Sequence, residues 1–187
     1  MLSPQLLQAI LDDYRLSPTG IHGVSHWARV LENGRKLAEA SGGSLAVVSL
    51  FAVFHDSRRV NDGWDRGHGK RGGDYATSLR GRLFDVTDAE FDDLMAACAG
   101  HTAGKTLTNV NIQICWDSDR LDLLRVGNQP KPELLGTPAA RQPEMLAWAN
   151  ARARERIVPE LVQTEWQLGH LFSEKNSWSS ATSGHSG

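Results

Sequence analysis

The sequence contains little cysteine: two residues, Cys98 and Cys115, among 187. Both lie in apolar stretches, LMAACAG and IQICWD, which is typical of buried core thiols rather than of metal ligands or disulfide partners. The sequence therefore predicts no disulfide framework. A chain of this length can bury a core large enough to hold a polar site without one.

Long apolar runs and a surplus of one charge are missing as well. No run approaches the ~20 apolar residues of a membrane-spanning helix. The segment MLSPQLLQAILDDYR at the start lacks the basic region of a signal peptide. A formal net charge of −2 gives no indication of a nucleic-acid-binding surface. We therefore expect a cytoplasmic protein that binds neither membranes nor nucleic acids.

The length predicts one domain followed by a short tail. Residues 1–172 are expected to form a helical domain. Residues 173–187, SEKNSWSSATSGHSG, are Ser-rich and have no apolar pattern, so they are predicted to be a disordered tail.

Apolar residues recur at helical spacing through most of the domain. Residues 45–54, LAVVSLFAVF, are apolar on all sides, so a buried strand is the rival interpretation, but helical neighbours and length favour a central helix. Helix-start signals occur at Pro4, Ser25, Ser44 and Thr87. The predicted fold class is all-α, a bundle of six to eight helices around residues 45–54. The predicted helices cover about 4–15, 26–41, 45–56, 70–83, 87–101 and 112–127, and a final helix or helix pair covers about 144–168.

Five of the seven histidines lie between residues 22 and 101, at predicted helix ends or in flanking loops where side chains from different helices can meet. His26 is followed 29 residues later by the pair His55–Asp56, and Asp119 lies further along. Imidazole nitrogens and carboxylate oxygens together suit divalent cations such as Mn, Fe, Co, Zn or Mg. Each residue alone is equally well explained as a cap or a satisfied polar group, so the joint pattern carries the metal-site hypothesis.

Three segments resemble the H…HD…D pattern of the HD-domain superfamily of metal-dependent phosphohydrolases. They are HWARV at 26–30, FHD at 54–56 and DSDRLD at 117–122. The resemblance covers about residues 20–127 and implies an HD-type helical bundle. It also implies that a divalent ion is bound by His26, His55, Asp56 and Asp119.

The last segment holds three aspartates, to which the resemblance assigns different roles. In the family the ligand directly precedes Arg or Lys and Leu, which selects Asp119. Asp122, three residues on, lies on the same side of a helix and is a candidate for a group behind the ligands. Asp117 is then a surface or structural residue.

Two further histidines are similar to a subgroup of the superfamily, the HD-type dinucleoside-tetraphosphate hydrolases. AGHTAG contains His101 and GHGKRGG contains His68. The likeness implies that these two rings bind a second metal ion, with Asp56 as the bridging ligand. A single-metal site, with His68 and His101 contacting substrate phosphate or acting as general acids, stays open. Asp56, His68 and His101 are the candidate catalytic residues.

Cationic side chains cluster around these segments, and a phosphoryl substrate needs such groups to hold its oxygens. We predict substrate contacts for Arg58, Arg59, Arg71 and Lys105. Arg29 is expected to pair with an acid on a neighbouring helix.

One further histidine and three tryptophans lie beside the ligand candidates. His22 either orients a ligand or lines the mouth of the site, or is structural. Trp27 and Trp116 are expected in the core, whereas Trp64, in a Gly-rich loop, is the candidate for a substrate-facing lid.

The resemblance implies a phosphohydrolase that uses one or two divalent ions and acts on a phosphomonoester or phosphoanhydride, with a small phosphorylated substrate, a nucleotide, as partner. Two alternatives stay open: a di-iron oxygenase built on the same ligands, and a non-catalytic regulatory module with the HD fold. The sequence also leaves homodimer formation open.

Overall fold

The computed structural model describes residues 2–105 and 109–176, which form eight α-helices and three short 3-10 helices. No β-strand occurs within these ranges, so the predicted all-α class is confirmed. The α-helices are α1 (Pro4–Asp12), α2 (Val24–Ser41), α3 (Leu45–Phe54), α4 (His68–Leu79), α5 (Asp88–Gly100), α6 (Val110–Arg120), α7 (Pro143–Arg154) and α8 (Leu161–Thr164).

Helix α3 lies at the centre of the bundle because its side chains are apolar on every face. From Val47 to Phe54 only Ser49 escapes burial. Neighbouring helices α1, α2, α4, α5 and α6 all pack against it. The Ser44 hydroxyl caps its first turn by accepting a hydrogen bond from the Val47 amide. The helical interpretation of this segment, rather than the strand, is therefore confirmed.

Three of the predicted helix starts are confirmed, and one is wrong. Ser3 and Ser44 cap α1 and α3, and Thr87 forms a complete capping box at α5. Ser25, in contrast, lies inside α2. The cap is Gly23, because the Val24 amide already donates to the Pro18 carbonyl at 2.8 Å in the turn before the helix. His26 consequently lies in the first turn of α2.

Two other helix boundaries differ from the predicted ones. Helix α4 starts at His68, two residues before the predicted start at about residue 70. The predicted helix 112–127 is two elements: α6, which begins early because Asn109 caps it, and a 3-10 helix over Leu123–Val126. The bend between them lies at Asp122, whose side chain is directed back to α2.

The final segment 144–168, predicted as one helix or a helix pair, forms a pair. Helix α7 ends at Arg154, Arg156 adopts a positive φ of 51°, and Pro159 precedes the short α8. A 3-10 helix, Gly169–Asn176, then runs past the predicted domain boundary at residue 172. The rest of the predicted tail, 177–187, lies outside the described residues.

The core contains the side chains for which the sequence predicts a packing role. Cys98 and Cys115 are buried free thiols, and Trp27 and Trp116 are buried. Among the residues described, no helix has both the length and the apolar character needed to cross a membrane.

Candidate metal centre

Six side chains from five helix ends meet at one end of the bundle. They come from the first turn of α2, the residues that follow α3, the start of α4, the residue that follows α5 and the last turn of α6. Five are buried, and the side chain of the sixth, Asp119, is 13% exposed. The six residues are His26, His55, Asp56, His68, His101 and Asp119.

The first group consists of His26 and His55, whose Nε2 atoms lie 3.1 Å apart. Asp56 Oδ2 lies 3.6 Å from the His26 nitrogen and 3.7 Å from the His55 nitrogen. Asp119 Oδ1 faces the same two nitrogens at 3.5 and 3.8 Å. Two ring nitrogens and two carboxylates therefore surround one point.

The second group consists of His68 and His101, whose Nε2 atoms lie 2.8 Å apart. The other oxygen of Asp56, Oδ1, lies 3.1 Å from the His68 nitrogen and 3.8 Å from the His101 nitrogen. Asp56 thus presents one oxygen to each histidine pair, which is the arrangement expected of a bridging carboxylate.

Hydrogen bonds on the far side of each ring fix which nitrogen carries the proton. In all four rings Nδ1 lies 2.6–3.0 Å from a carbonyl or carboxylate oxygen. Because these oxygens only accept, Nδ1 donates, and the neutral ring has its lone pair on Nε2. The acceptors for His26, His55, His68 and His101 are Asp122 Oδ2 and the carbonyl oxygens of Phe51, Asp65 and Cys98.

Four Nε2 lone pairs are therefore directed at one another and at two carboxylates. Such lone pairs repel each other unless a cation lies between them, and imidazole with carboxylate is a donor set that divalent transition metals prefer. The groups His26–His55–Asp56 and Asp56–His68–His101 each have ligand atoms close enough together to hold an ion. The donor set fits a divalent metal.

Burial and charge keep most of these groups in the state that a metal ligand needs. Burial lowers the pKa of His55 to about 3 and also lowers that of His101, so both rings stay neutral. Burial alone would raise the pKa of Asp119, but His55 and Arg125 lower it to about 2. Burial likewise opposes ionisation of Asp56, yet the surrounding histidines hold its pKa well below the usual range.

His68 differs in this respect. Burial lowers the pKa of its ring, but the hydrogen bond and charge of Asp56 outweigh burial and raise it. Positive charge is thus favoured at this nitrogen, and a metal ion would supply that charge in place of the proton.

Asp122 binds the His26 ring on the side that faces away from the first group. Its carboxylate accepts from His26 Nδ1 at 2.7 Å and from Arg29 Nε and Nη2 at 2.7 and 3.0 Å. Asp122 and Arg29 are both buried. The expected pairing of Arg29 with an acid is confirmed, and Asp122 lies behind a ligand candidate, as the spacing predicted.

Asp117 serves a different purpose. It is fully buried and accepts hydrogen bonds from the backbone amides of Gly136 and Thr137 at 2.8 and 2.7 Å. The prediction of a structural role is therefore correct, and that of a surface position is wrong. The carboxylate thus binds the backbone at residues 136–137 to α6.

His22 belongs to the centre, although the sequence left its role open. Its ring is buried, with Nδ1 2.9 Å from Asp56 Oδ2 and Nε2 3.3 Å from the Asp62 carbonyl. The Tyr14 hydroxyl donates to the His22 carbonyl at 2.8 Å and fixes the loop before α2. The four-residue offset from His26 was the available signal, and the flanking glycines obscured it.

Of the four side chains predicted to contact substrate, only Arg59 lines the cavity over the centre. Arg59 lines the cavity over the centre and donates to Asp56 Oδ1 at 3.3 Å. Arg58 extends to the opposite side, where it donates to the Asp13 carbonyl and lies 4.7 Å over the Tyr75 ring. The backbone turns after Asp56, so the two consecutive arginines diverge.

Arg71 and Lys105 also lie away from the cavity wall. Arg71 forms a two-pronged ion pair with Asp65 at 2.7 Å, and Lys105 is exposed to solvent. Arg58, Arg71 and Lys105 are thus not among the residues that line this cavity, and their substrate contacts stay a prediction. Other cations replace them on the cavity wall: Arg66, Arg120, Arg125 and Lys131.

Close backbone packing fixes the second histidine pair. A Cβ at Gly69 would lie 2.0 Å from the Cys98 carbonyl oxygen, and one at Gly72 would lie 2.2 Å from the Phe54 carbonyl oxygen. Helix α4 therefore contacts the ends of α5 and α3 directly through its backbone. This contact sets the separation of His68 from Asp56 and His101.

Comparison with known proteins gives one informative match. No protein-family model matches the sequence, and no curated protein does. A crystal structure from an uncultured Thermotogales bacterium, described as a predicted HD superfamily hydrolase, matches with a TM-score of 0.60 and 25% sequence identity. The match covers 87% of this chain and 91% of that one. The helical fold, the converging histidines and aspartates, and this neighbour support membership of the HD-domain superfamily, with a site whose residues could hold a metal ion.

Proposed function

We propose that the protein is a phosphohydrolase that cleaves a phosphomonoester or phosphoanhydride, with a nucleotide as the substrate. One observation carries the proposal: Asp56 presents one oxygen to each of two histidine pairs at the floor of a cavity of about 1010 Å³. Paired metal sites with a shared carboxylate suit displacement at phosphorus, where attacking and leaving oxygens both develop charge.

Divalent ions bound at these ligands would lower the pKa of a water molecule and offset the negative charge of phosphoryl oxygens. We propose that His26, His55, Asp56 and Asp119 hold one ion and that Asp56, His68 and His101 hold a second. The likeness of the His68 and His101 segments to dinucleoside-tetraphosphate hydrolases supports the second ion and stays a prediction.

The chain's own residues orient these groups. His22 and Arg59 bind opposite oxygens of Asp56, at 2.9 and 3.3 Å, and so fix the rotation of its carboxylate. Arg59 and Arg125 are mostly buried and line the cavity next to the ligands. Their guanidinium groups have the planar donor geometry that binds phosphoryl oxygens in pairs.

Replacement of Asp56 tests the assignment, because this residue belongs to both groups. Asp56→Ala is expected to lose bound metal, measured by elemental analysis of protein purified without chelator, and to lose phosphate release over a panel of phosphate esters with Mn, Co or Fe added. Asp74→Ala, which removes an exposed partner of Lys70, is the matched control. Full metal content and full rate in Asp56→Ala would disprove the proposal.

Oxygen consumption, measured beside phosphate release, separates the proposal from its two alternatives. A di-iron oxygenase would consume oxygen in proportion to product and release no phosphate. A non-catalytic module would bind metal but release no phosphate and consume no oxygen with any ester of the panel.

A further inference from the structure

The wall of the cavity combines a buried, charged part and an exposed, apolar part. The charged part holds Asp56 and Asp119 with the buried cations Arg59 and Arg125. The wall also includes three large apolar side chains that are open to solvent: Trp64, Leu134 and Val126, with exposed fractions of 82%, 57% and 37%. Single exposed apolar residues are common, but several that line one cavity mark a binding surface.

The backbone on both sides of Trp64 is anchored although its indole is exposed. On one side, Arg59 Nη2 donates to the Gly63 carbonyl at 2.7 Å. On the other, the Asp65 carboxylate accepts from the Val60 amide at 2.8 Å and from Arg71 at 2.7 Å. An aromatic ring on a fixed backbone loses little conformational entropy when a ligand binds to it.

The loop that carries Trp64 is bonded to the same side chains that orient Asp56. Arg59 binds Asp56 Oδ1 and the Gly63 carbonyl, at 3.3 and 2.7 Å. His22 binds Asp56 Oδ2 and, at 3.3 Å, the Asp62 carbonyl. The backbone that carries Trp64 is therefore positioned relative to the centre by two side chains, each of which binds both Asp56 and the loop.

The cavity volume sets the size of the ligand. Its 1010 Å³ lies at the upper end of the ~300–1,000 Å³ found for sites that enclose ligands of drug size. A phosphoryl group with a small alkyl substituent would occupy only the charged part. The remaining volume and the exposed apolar side chains suit a flat, apolar part of the substrate.

We propose that Trp64 is the specificity-determining residue of this enzyme and that it stacks on an aromatic ring in the leaving group of the phosphate ester. The inference rests on the proposed function, because it places the phosphoryl group at the histidine and aspartate centre. Leu134 and Val126 supply apolar surface in the same cavity for the edge of that ring. The substrate is thus a phosphate ester with a flat aromatic group rather than a sugar phosphate or an alkyl phosphate.

Two probes with the same phosphoryl group and the same primary alkoxide test this: adenosine 5′-monophosphate and ribose 5-phosphate. They differ in the base, so the ratio of their affinities isolates its contribution. Calorimetric Kd values are measured on the full chain with Mn²⁺ added, and phosphate release is assayed on the same samples. Where phosphate is released, the ratio of kcat/KM values replaces the ratio of Kd values.

Wild-type protein is expected to favour the adenosine probe. Trp64→Ala is expected to reduce the ratio by about 5- to 150-fold, the range for stacking of one base on an aromatic side chain. Trp64→Phe, which keeps an aromatic face, is expected to restore part of it. Leu45→Ala removes another exposed apolar side chain, one remote from this cavity, and should keep the wild-type ratio.

The two hypotheses fail in different ways. An unchanged ratio in Trp64→Ala, a wild-type preference below about twofold, or binding of neither probe would overturn the role of Trp64. Absence of phosphate release with either probe counts against the proposed function, whereas a base-dependent Kd that is lost in Trp64→Ala would still support the aromatic subsite.

Discussion

The buried Asp122 carboxylate should be essential to both stability and metal binding, although it is not placed among the ligands. It accepts from His26 Nδ1 at 2.7 Å and from two nitrogens of Arg29 at 2.7 and 3.0 Å. Asp122→Ala removes all three acceptor contacts. The Arg29 guanidinium, exposed to only 2%, then stays in the interior without its counter-charge.

The expected cost follows from that uncompensated charge. Removal of one partner from a buried ion pair costs about 3–5 kcal/mol, against a total unfolding free energy of about 5–15 kcal/mol for a typical domain. The His26 ring also loses the acceptor that fixes its proton on Nδ1. Loss of such an outer partner lowers metal affinity by about 10- to 100-fold.

Urea unfolding of metal-free protein and metal titration of the folded protein measure the two effects separately. Asp122→Asn should lie between wild type and Asp122→Ala, because an amide oxygen can still accept from one of the two partners. Asp74→Ala removes an exposed ion pair with Lys70, which should contribute no more than about 0.5 kcal/mol. A loss in Asp122→Ala that is no larger than in Asp74→Ala would refute the reasoning.

Three further predictions concern the centre and the core. His22→Ala should weaken metal binding about 10- to 100-fold, with part of the affinity recovered in His22→Gln, which keeps a donor for Asp56; equal affinities by metal titration would contradict this. Chelation should lower the melting temperature and Mn²⁺ should restore it, with about 2.7 kcal/mol of stabilisation at a free metal concentration 100 times Kd; a melting temperature insensitive to both would count against the site. Burial raises the pKa values of Cys98 and Cys115, so both thiols should react with a thiol reagent only after unfolding, and rapid reaction of native protein would show that the core assignment is wrong.

Local backbone chemistry explains which helix boundaries the sequence could predict. Ser3, Ser44 and Thr87 each accept a hydrogen bond from the amide three residues further on, so neighbouring residues suffice to identify them. The start of α2 depends instead on the turn that joins Pro18 to Val24, and the bend at Asp122 depends on a contact with His26, 96 residues away. Neither contact is made by the residues next to the boundary in the way a side-chain cap is, so neither has a recognised signature in the adjacent sequence.

The candidate site likewise has parts that the sequence predicts and parts that it does not. Order and spacing brought the histidines and aspartates into one hypothesis, and the structure does bring them together. The pairing of His26 with His55 and of His68 with His101 depends on helix packing and could not be read from the chain. The cations show the limit most clearly, because Arg58 and Arg59 are adjacent in sequence and point to opposite sides of one turn.

The close backbone packing of α4 has an evolutionary consequence. Gly69 and Gly72 bear no functional group, yet a single methyl at either position would press against a carbonyl oxygen of a neighbouring helix. One glycine-to-alanine change could therefore displace His68 from His101 and Asp56 in a lineage that retains every histidine and aspartate. Among homologues, an intact set of these six residues would then be a poor guide to how many ions bind, and the small residues of α4 would be the better one.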